Sequence, residues 1–241
     1  MADSEAPRQN HILGALPEHN YAELSTLLEL VNMTSGDVIY EPGERLHYAY
    51  FPTSCIVSNY CISTDGASTE IAMIGKEGMV GIALFMGGET MPNRAVVMAS
   101  GQAYRLKRNQ LLQEIGRMDR RRSGALYEVL LRYILALLTY TGQTAACNRH
   151  HSLDQQLCRW LLLNLDRLND NQISATQSLI AEMLGVRREG ITVAAGKLQR
   201  DGLIRYKRGH IAVLNRSGLE ARSCECYQVV KSEFDRLWHF H

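Results

Sequence analysis

The stretch "AEMLGVRREGITVAAGKLQRDGLI", residues 181–204, holds two short helical patterns hinged at Gly185. Around the first, Leu179, Ile180, Met183 and Leu184 mark an inward face, and Ala181 stands four residues ahead of Gly185. Two helices that cross steeply need a small side chain where they meet. They also need a residue between them that tolerates a left-handed turn. Ala181 and Gly185 meet those needs, and Val186 anchors the turn. The second helix is expected from about Arg187 to Arg200, with Ile191, Ala195 and Leu198 pointing inward at spacings of 4 and 3.

The opposite face of that second helix carries Arg188, Glu189, Thr192, Val193, Gly196 and Lys197. Long donors stand at its start and small residues in its middle. Such a face fits a DNA major groove, where arginine donates two hydrogen bonds to guanine and glutamate accepts from cytosine. Thr176, Gln177 and Ser178, at the start of the preceding helix, are placed to meet phosphate. Arg187 stands at the start of the second. Next comes "LIRYKRGHIAVL", in which Ile204 and Tyr206 alternate before Gly209, and Ile211 and Val213 alternate after it. This reads as a hairpin with a cationic tip of Lys207, Arg208 and His210, touching backbone phosphate. From Ala181 to Arg216, eight Lys/Arg against three acids leave a surplus of five positive charges, although the whole chain of 241 residues carries only +1. The bland counterpart is a solvated helical hairpin, or a surface for another protein in a small-molecule or redox sensor. The order of turn, polar face and hairpin favours duplex DNA.

Upstream the texture differs. Residues 1–10 are polar and expected to be disordered, and Pro17 to Val31 reads as a helix with Tyr21, Leu24, Leu28 and Val31 on one face. Between Thr34 and Leu106 turn signals recur and separate short β-rich runs at Val38–Tyr40, Tyr48–Phe51, Ile56–Ile62, Glu70–Ile74, Arg94–Met98 and Ala103–Leu106. Many short strands so close together suggest a sandwich or barrel. From Arg108 the pattern is helical. Leu126, Leu130, Tyr133, Leu137 and Tyr140 form a heptad seam, expected to meet a second copy of the chain, and a second stripe of Leu131, Ile134 and Leu138 runs beside it. Ser152 and Gln155 fit a capping box opening a helix with Leu157, Leu161, Leu165 and Leu168 on one stripe.

Other chemistry is thin. The N-terminus has no apolar signal core, and the run Leu126–Leu138 is too short and too charged to span a bilayer, so a cytoplasmic protein without membrane contact is expected. The six cysteines are expected as thiols. Cys147 with His150 and His151 lacks further ligands nearby and reads as part of a capped linker. Cys224 and Cys226 fall in a helical pattern that points them to different faces. No metal or cofactor is expected. No nucleophile elbow, phosphate loop or paired-carboxylate pattern occurs, so catalysis is not expected.

Taken together, "TQSLIAEMLGVRREGITVAAGKLQRDGLI" (176–204), "EPGERLHYAYFP" (41–52) and "GKEGMVGIALFMGG" (75–88) resemble the Crp/Fnr superfamily of transcription regulators. The resemblance implies an α+β chain: an N-terminal double-stranded β-helix, or jelly roll, of the cyclic-nucleotide-binding type; a long dimerisation helix; and a C-terminal winged helix-turn-helix. The implied division is a sensor over residues 11–115, a dimerisation region over 116–145 and a DNA-binding domain over 146–241. It also implies a homodimer on a two-fold operator and a contact with RNA polymerase. Arg188 and Glu189 match two of the family's usual base-reading positions, while Val193 stands where arginine is common. The effector cassette departs further. Gly78 is followed by Gly81-Ile82 where the family's cyclic-nucleotide binders carry Gly-Glu, and Arg94 precedes Ala95 rather than Ser or Thr. The ribose acceptor and one phosphate partner are therefore missing, Arg94 reads as a surface or structural residue, and the effector is unknown.

Overall fold

The computed structural model describes residues 6–116, 124–168 and 170–238. The chain divides into two units, Met1–Asn59 with Met73–Leu138 and Phe234–His241, and Tyr60–Ala72 with Thr139–Glu233. Among the described residues no helix is long and apolar enough to cross a membrane.

The first unit begins earlier than its polar sequence suggests. Residues Ala6–Gln9 form a 3-10 turn, followed by α1 (His11–Gly14) and α2 (Glu18–Ser25). Residues 1–5 of the expected disordered segment lie outside the described residues, but Asn10 is completely buried. Its Oδ1 accepts from the amides of Ile12 and Leu13, and its Nδ2 donates to the carbonyls of Pro52 and Gly78, both at 2.9 Å. One amide side chain thus caps a helix and satisfies two buried carbonyls, which a composition argument does not see.

The expected helix over 17–31 is cut in two. After α2 the chain turns extended and forms β1 (Glu29–Met33). The 3-4-3 spacing of Tyr21, Leu24, Leu28 and Val31 fits a helix, yet pairing decides otherwise. β1 runs antiparallel to β7 (Gly101–Lys107), with Glu29 opposite Arg105 and bonded to it at 2.9 Å. The other strands fall where the β-rich runs are: β2 (Val38–Tyr40), β3 (Tyr48–Pro52), β4 (Ile56–Ile62), β5 (Ser68–Ile74) and β6 (Arg94–Ala99). They form a sheet of order β1-β7-β3 and another of order β2-β6-β4-β5, giving the jelly roll. Alternation in β3 turns Ala49 and Phe51 into the core, while residues 56–60 of β4 are all buried, as in a strand covered on both faces.

α3 (Arg108–Gly116) follows the last strand, and α4 (Ala125–His150) is continuous over 26 residues. Residues 117–123 of the expected dimerisation region lie outside the described residues. The heptad seam requires a correction. Leu126, Leu130, Tyr133, Leu137 and Tyr140 are all at most 7 % exposed within the single chain. Tyr133 donates from its hydroxyl to the Met79 carbonyl at 3.2 Å, and its ring lies so close to Gly78 that a Cβ there would sit 2.6 Å from the hydroxyl. Tyr140 lies beneath two buried guanidiniums, those of Arg159 and Arg167, at 5.5 and 5.6 Å. These five residues are covered by their own chain, not available to a second one. Of the neighbouring stripe, Leu131 is exposed by 48 % and Leu138 by 64 %, Ile134 is half-buried, and Leu135 between them, outside that stripe, is exposed by 52 %. A helix with two apolar stripes does not reveal by spacing which one its own domain covers.

In the second unit, α5 (Leu153–Leu165) opens on the capping box, with both Ser152–Gln155 bonds formed. α6 (Gln177–Leu184) and α7 (Arg188–Arg200) make the helical hairpin. β9 (Ile204–Lys207) and β10 (His210–Val213) form the wing, to which a third strand, β8 (Gln172–Ser174), adds antiparallel on β10. β8 is too short to show a sequence period. α8 (Arg216–Arg222) and α9 (Glu225–Trp238) are separate helices. The single helical pattern expected across the two cysteines breaks at Ser223, which is extended with φ −70° and ψ 163°.

Asn10→Ala should lower stability by about 2–4 kcal/mol, since two buried carbonyls and a cap lose their partner together. Urea unfolding followed by circular dichroism measures it. A change below about 0.5 kcal/mol, the ordinary effect of a surface substitution, would show that residues 6–14 are not anchored this way.

Candidate nucleic-acid interface

The interface grows from the turn between α6 and α7. Gly185 adopts φ 63°, ψ 37°, and its amide and that of Val186 bond back to carbonyls of α6, Val186 to Ala181 at 2.9 Å. A side chain at this left-handed position costs roughly 1–2 kcal/mol, so glycine permits the sharp turn. Ile180, Ala181, Met183 and Leu184 of α6 and Ile191, Ala194, Ala195 and Leu198 of α7 then close one core. The remaining flank of α7 faces outward.

At the head of α6, Thr176 is the cap, its Oγ1 accepting from the Leu179 amide at 3.1 Å. Gln177 Oε1 accepts from the Thr192 hydroxyl at 2.8 Å, which links the two helices on their exposed side. Ser178 is exposed beside them. The wing turns tightly at Arg208 and Gly209, both with positive φ (50° and 82°), the backbone of a two-residue hairpin turn whose twist matches its strands. Three bonds hold the wing to α7 and to the segment leading into α6: Ala175 N–H to the Gly209 carbonyl (2.8 Å), Tyr206 hydroxyl to the Ala175 carbonyl (2.8 Å) and Tyr206 N–H to Gln199 Oε1 (2.7 Å).

Thr176, Gln177, Ser178, Arg188, Thr192 and Arg208 therefore line one cleft of about 450 Å³, framed by the head of α6, the outer flank of α7 and the wing tip. Arg187, Glu189, Lys207 and His210 are exposed around it, and Val193 is 59 % exposed. His210 Nδ1 lies 3.2 Å from the Ser174 hydroxyl, which steadies the ring beside the wing tip. Lys197 departs from expectation. Its ammonium pairs with Asp154 of α5 at 3.0 Å, and it does not line the cleft. Gln199 and Tyr206 also line the cleft, although the sequence does not mark them. Gln199 lies one turn beyond the expected reading face, and Tyr206 reads in sequence only as an inward strand residue.

The expected effector residues make contacts within the protein. Gly81, at φ 92°, opens a short 3-10 turn Ile82–Leu84, and a Cβ at Gly81 would lie 3.1 Å from the Tyr48 carbonyl. Ile82 is half-buried, and Ala95 is fully buried in β6 opposite Tyr40. Gly78 serves the close approach of Tyr133, as described above. Arg94 is half-buried and pairs with Glu41 at 3.1 Å. Nearby, Asn93 Nδ2 donates to the Tyr40 hydroxyl at 3.3 Å, and burial pushes that phenol up to about 12.

The sequence matches two domain families: a cyclic nucleotide-binding domain over residues 30–117 and a Crp-like helix-turn-helix domain over residues 155–222. No curated protein matches it by sequence. Solved structures share the fold at low identity. FixK2 from Bradyrhizobium japonicum is 17 % identical, with a TM-score of 0.66 over 82 % of this chain and 98 % of that one. The c-di-GMP-responsive global regulator CLP from Xanthomonas campestris is 15 % identical, with a TM-score of 0.65 over 82 % and 99 %. A Crp/Fnr-family transcriptional regulator from Thermus thermophilus is 22 % identical, with a TM-score of 0.60 over 85 % and 100 %. The members of this family are transcription regulators rather than enzymes. With a jelly roll, a long connecting helix and a winged helix-turn-helix in that order, the chain belongs to the Crp/Fnr superfamily of transcription regulators.

Proposed function

We propose that the protein is a homodimer that reads a two-fold DNA operator with α7, clamps the backbone with the wing, and does not respond to a cyclic nucleotide. The carrying observation is the cleft in which Arg188 and Thr192 of α7, the capped head of α6 and Arg208 of the wing converge. Arg188 and Glu189, on the first turn of α7, are suited to base edges, with Val193 one turn on for apolar contact, as to a thymine methyl. Thr176, Gln177, Ser178, Lys207, Arg208 and His210 are suited to phosphates. Lys197, held by Asp154, is assigned no base contact.

Dimerisation is assigned to the exposed stripe of α4, Leu131, Leu135 and Leu138, whose 4 and 3 spacing continues to exposed Gly142. Two such helices side by side would set the spacing of the recognition helices, which must match about one turn of DNA, ~34 Å, for both half-sites to be read. Contact with RNA polymerase is carried over from the family. The absence of a cyclic-nucleotide response rests on Ile82 in the acceptor position and on the Arg94–Glu41 pair, which a cyclic phosphate would have to break.

Titration of labelled duplex at several salt concentrations tests the interface. The logarithm of the association constant should fall steeply with the logarithm of salt, by ~0.9 for each phosphate neutralised. A nearly flat response would favour the competing role, a surface for another protein. Arg188→Ala should cost about 1–3 kcal/mol at one base position only. Arg208→Asn, which retains a residue tolerant of the left-handed turn, should weaken all sequences alike and reduce the salt slope by about 1. Uniform losses in both variants would refute the division between reading and clamping.

Two further outcomes concern assembly and sensing. Leu135→Asp should raise the dimer dissociation constant by about 30-fold or more in analytical sedimentation. Leu130→Asp should instead destabilise the protomer, because that side chain is buried in it; a folded Leu135→Asp dimer of undiminished affinity would refute the seam. Millimolar cAMP should leave Tm unchanged in a thermal scan, whereas a clear rise would show that the cassette binds despite Ile82.

A further inference from the structure

Four side chains distant in sequence meet in the second unit. Cys147 and His151 stand one turn apart near the end of α4, and Cys224 and Cys226 flank Glu225, the first residue of α9. One ligand atom from each lies within 4.8 Å of every other. The three thiols are at most 3 % exposed and the imidazole is 17 % exposed. Cys147 Sγ is 3.5 Å from Cys224 Sγ, and Cys226 Sγ is 3.5 Å from His151 Nδ1.

These separations discriminate between chemistries. A disulfide needs its sulfurs at about 2.0 Å, far closer than the observed pair. In a tetrahedral zinc site, metal bonds of about 2.3 Å to sulfur and 2.0–2.1 Å to nitrogen put sulfurs about 3.8 Å apart and sulfur about 3.6 Å from nitrogen. The observed 3.5 Å contacts need shifts of only a few tenths of an ångström to reach those edges. The surroundings suit a metal as well. His151 Nε2 faces Glu225 Oε1 at 3.3 Å, and a proton shared there leaves the Nδ1 lone pair directed at the cysteines, the arrangement in which a carboxylate orients a ligating imidazole. The Cys147 thiol, at 3.5 Å, and the Cys226 amide both hydrogen-bond to Cys224 Sγ. The buried guanidinium of Arg159 places a positive charge beside Cys147 and Cys226. Three thiolates, a neutral imidazole and Zn²⁺ sum to one negative charge, which Arg159 offsets.

We propose that Cys147, His151, Cys224 and Cys226 form a structural zinc site that ties the end of α4 to the start of α9. Four protein ligands leave no open coordination position, so the role is cross-linking, not catalysis. Soft thiolates select zinc over magnesium or calcium.

The test uses the full-length protein purified under reducing conditions. Metal analysis after dialysis against a weak chelator should find one zinc per chain. Zinc-free protein titrated with Co²⁺ should develop a thiolate charge-transfer band and the visible bands of a tetrahedral ion, both displaced by Zn²⁺. Cys226→Ser should reduce the charge-transfer intensity by about one-third, from three thiolates to two. Cys158→Ser, at a buried cysteine outside the cluster, should leave it unchanged. Should Cys226→Ser fail to fold, the wild-type cobalt spectrum and zinc content still decide. Wild-type protein that retains no zinc and gives no cobalt–thiolate band would overturn the proposal. So would peptide mapping that finds Cys147 and Cys224 joined as a disulfide in the freshly isolated protein.

Discussion

The constraint on which the DNA-facing surface depends is the left-handed turn at Gly185. Because the chain reverses within one residue, α6 and α7 cross steeply and share a core of Ile180, Met183, Leu184, Ile191 and Leu198. That core consumes the apolar face of α7 completely and leaves a flank of Arg188, Glu189, Thr192 and Val193 outside. The wing is then positioned from the same base. Tyr206 is bonded by its amide to Gln199 of α7 and by its hydroxyl to Ala175, beside the α6 cap. A cationic hairpin tip and a polar helix face are thus held as one surface by backbone geometry and three hydrogen bonds.

Local features were the most legible from sequence. The capping box at Ser152, the glycine turn and the alternation in the wing each depend on residues only a few positions apart, and the structure has them where the spacing places them. Non-local competition accounts for the departures. Residues 29–33 have helical spacing, but the ion pair between Glu29 and Arg105 belongs to a strand pairing across 76 positions. On α4 two apolar stripes compete, and it is contacts remote in sequence, such as Tyr133 against Gly78 and Met79, that show which one is buried. Lys197 looks like a reading residue until Asp154, 43 positions away, is seen to hold it. The cysteine cluster was least legible, since Cys147 and Cys224 are 77 residues apart and helix periodicity wrongly separated Cys224 from Cys226.

The two halves of the chain stand at different distances from their family's chemistry. The helix-turn-helix has its glycine turn at Gly185 and a capped first helix at Thr176. In the jelly roll, the residues expected at the effector cassette make contacts within the protein: Gly78 receives Tyr133, Ala95 is buried, and Arg94 pairs with Glu41. The cysteine–histidine cluster lies in the DNA-binding unit, where a bound metal would act on the rigidity of α4 and α9, separately from that cassette.

Selection of bound fragments from random duplex DNA tests the central assignment most directly. A dimer reading with the flank of α7 should enrich an inverted repeat whose half-site centres lie about one helical turn apart, ~34 Å, and Arg188→Ala should enrich the same repeat with one base position relaxed. Enrichment of no common sequence, or of a repeat unaltered by Arg188→Ala, would contradict the assignment of α7 as the reading helix.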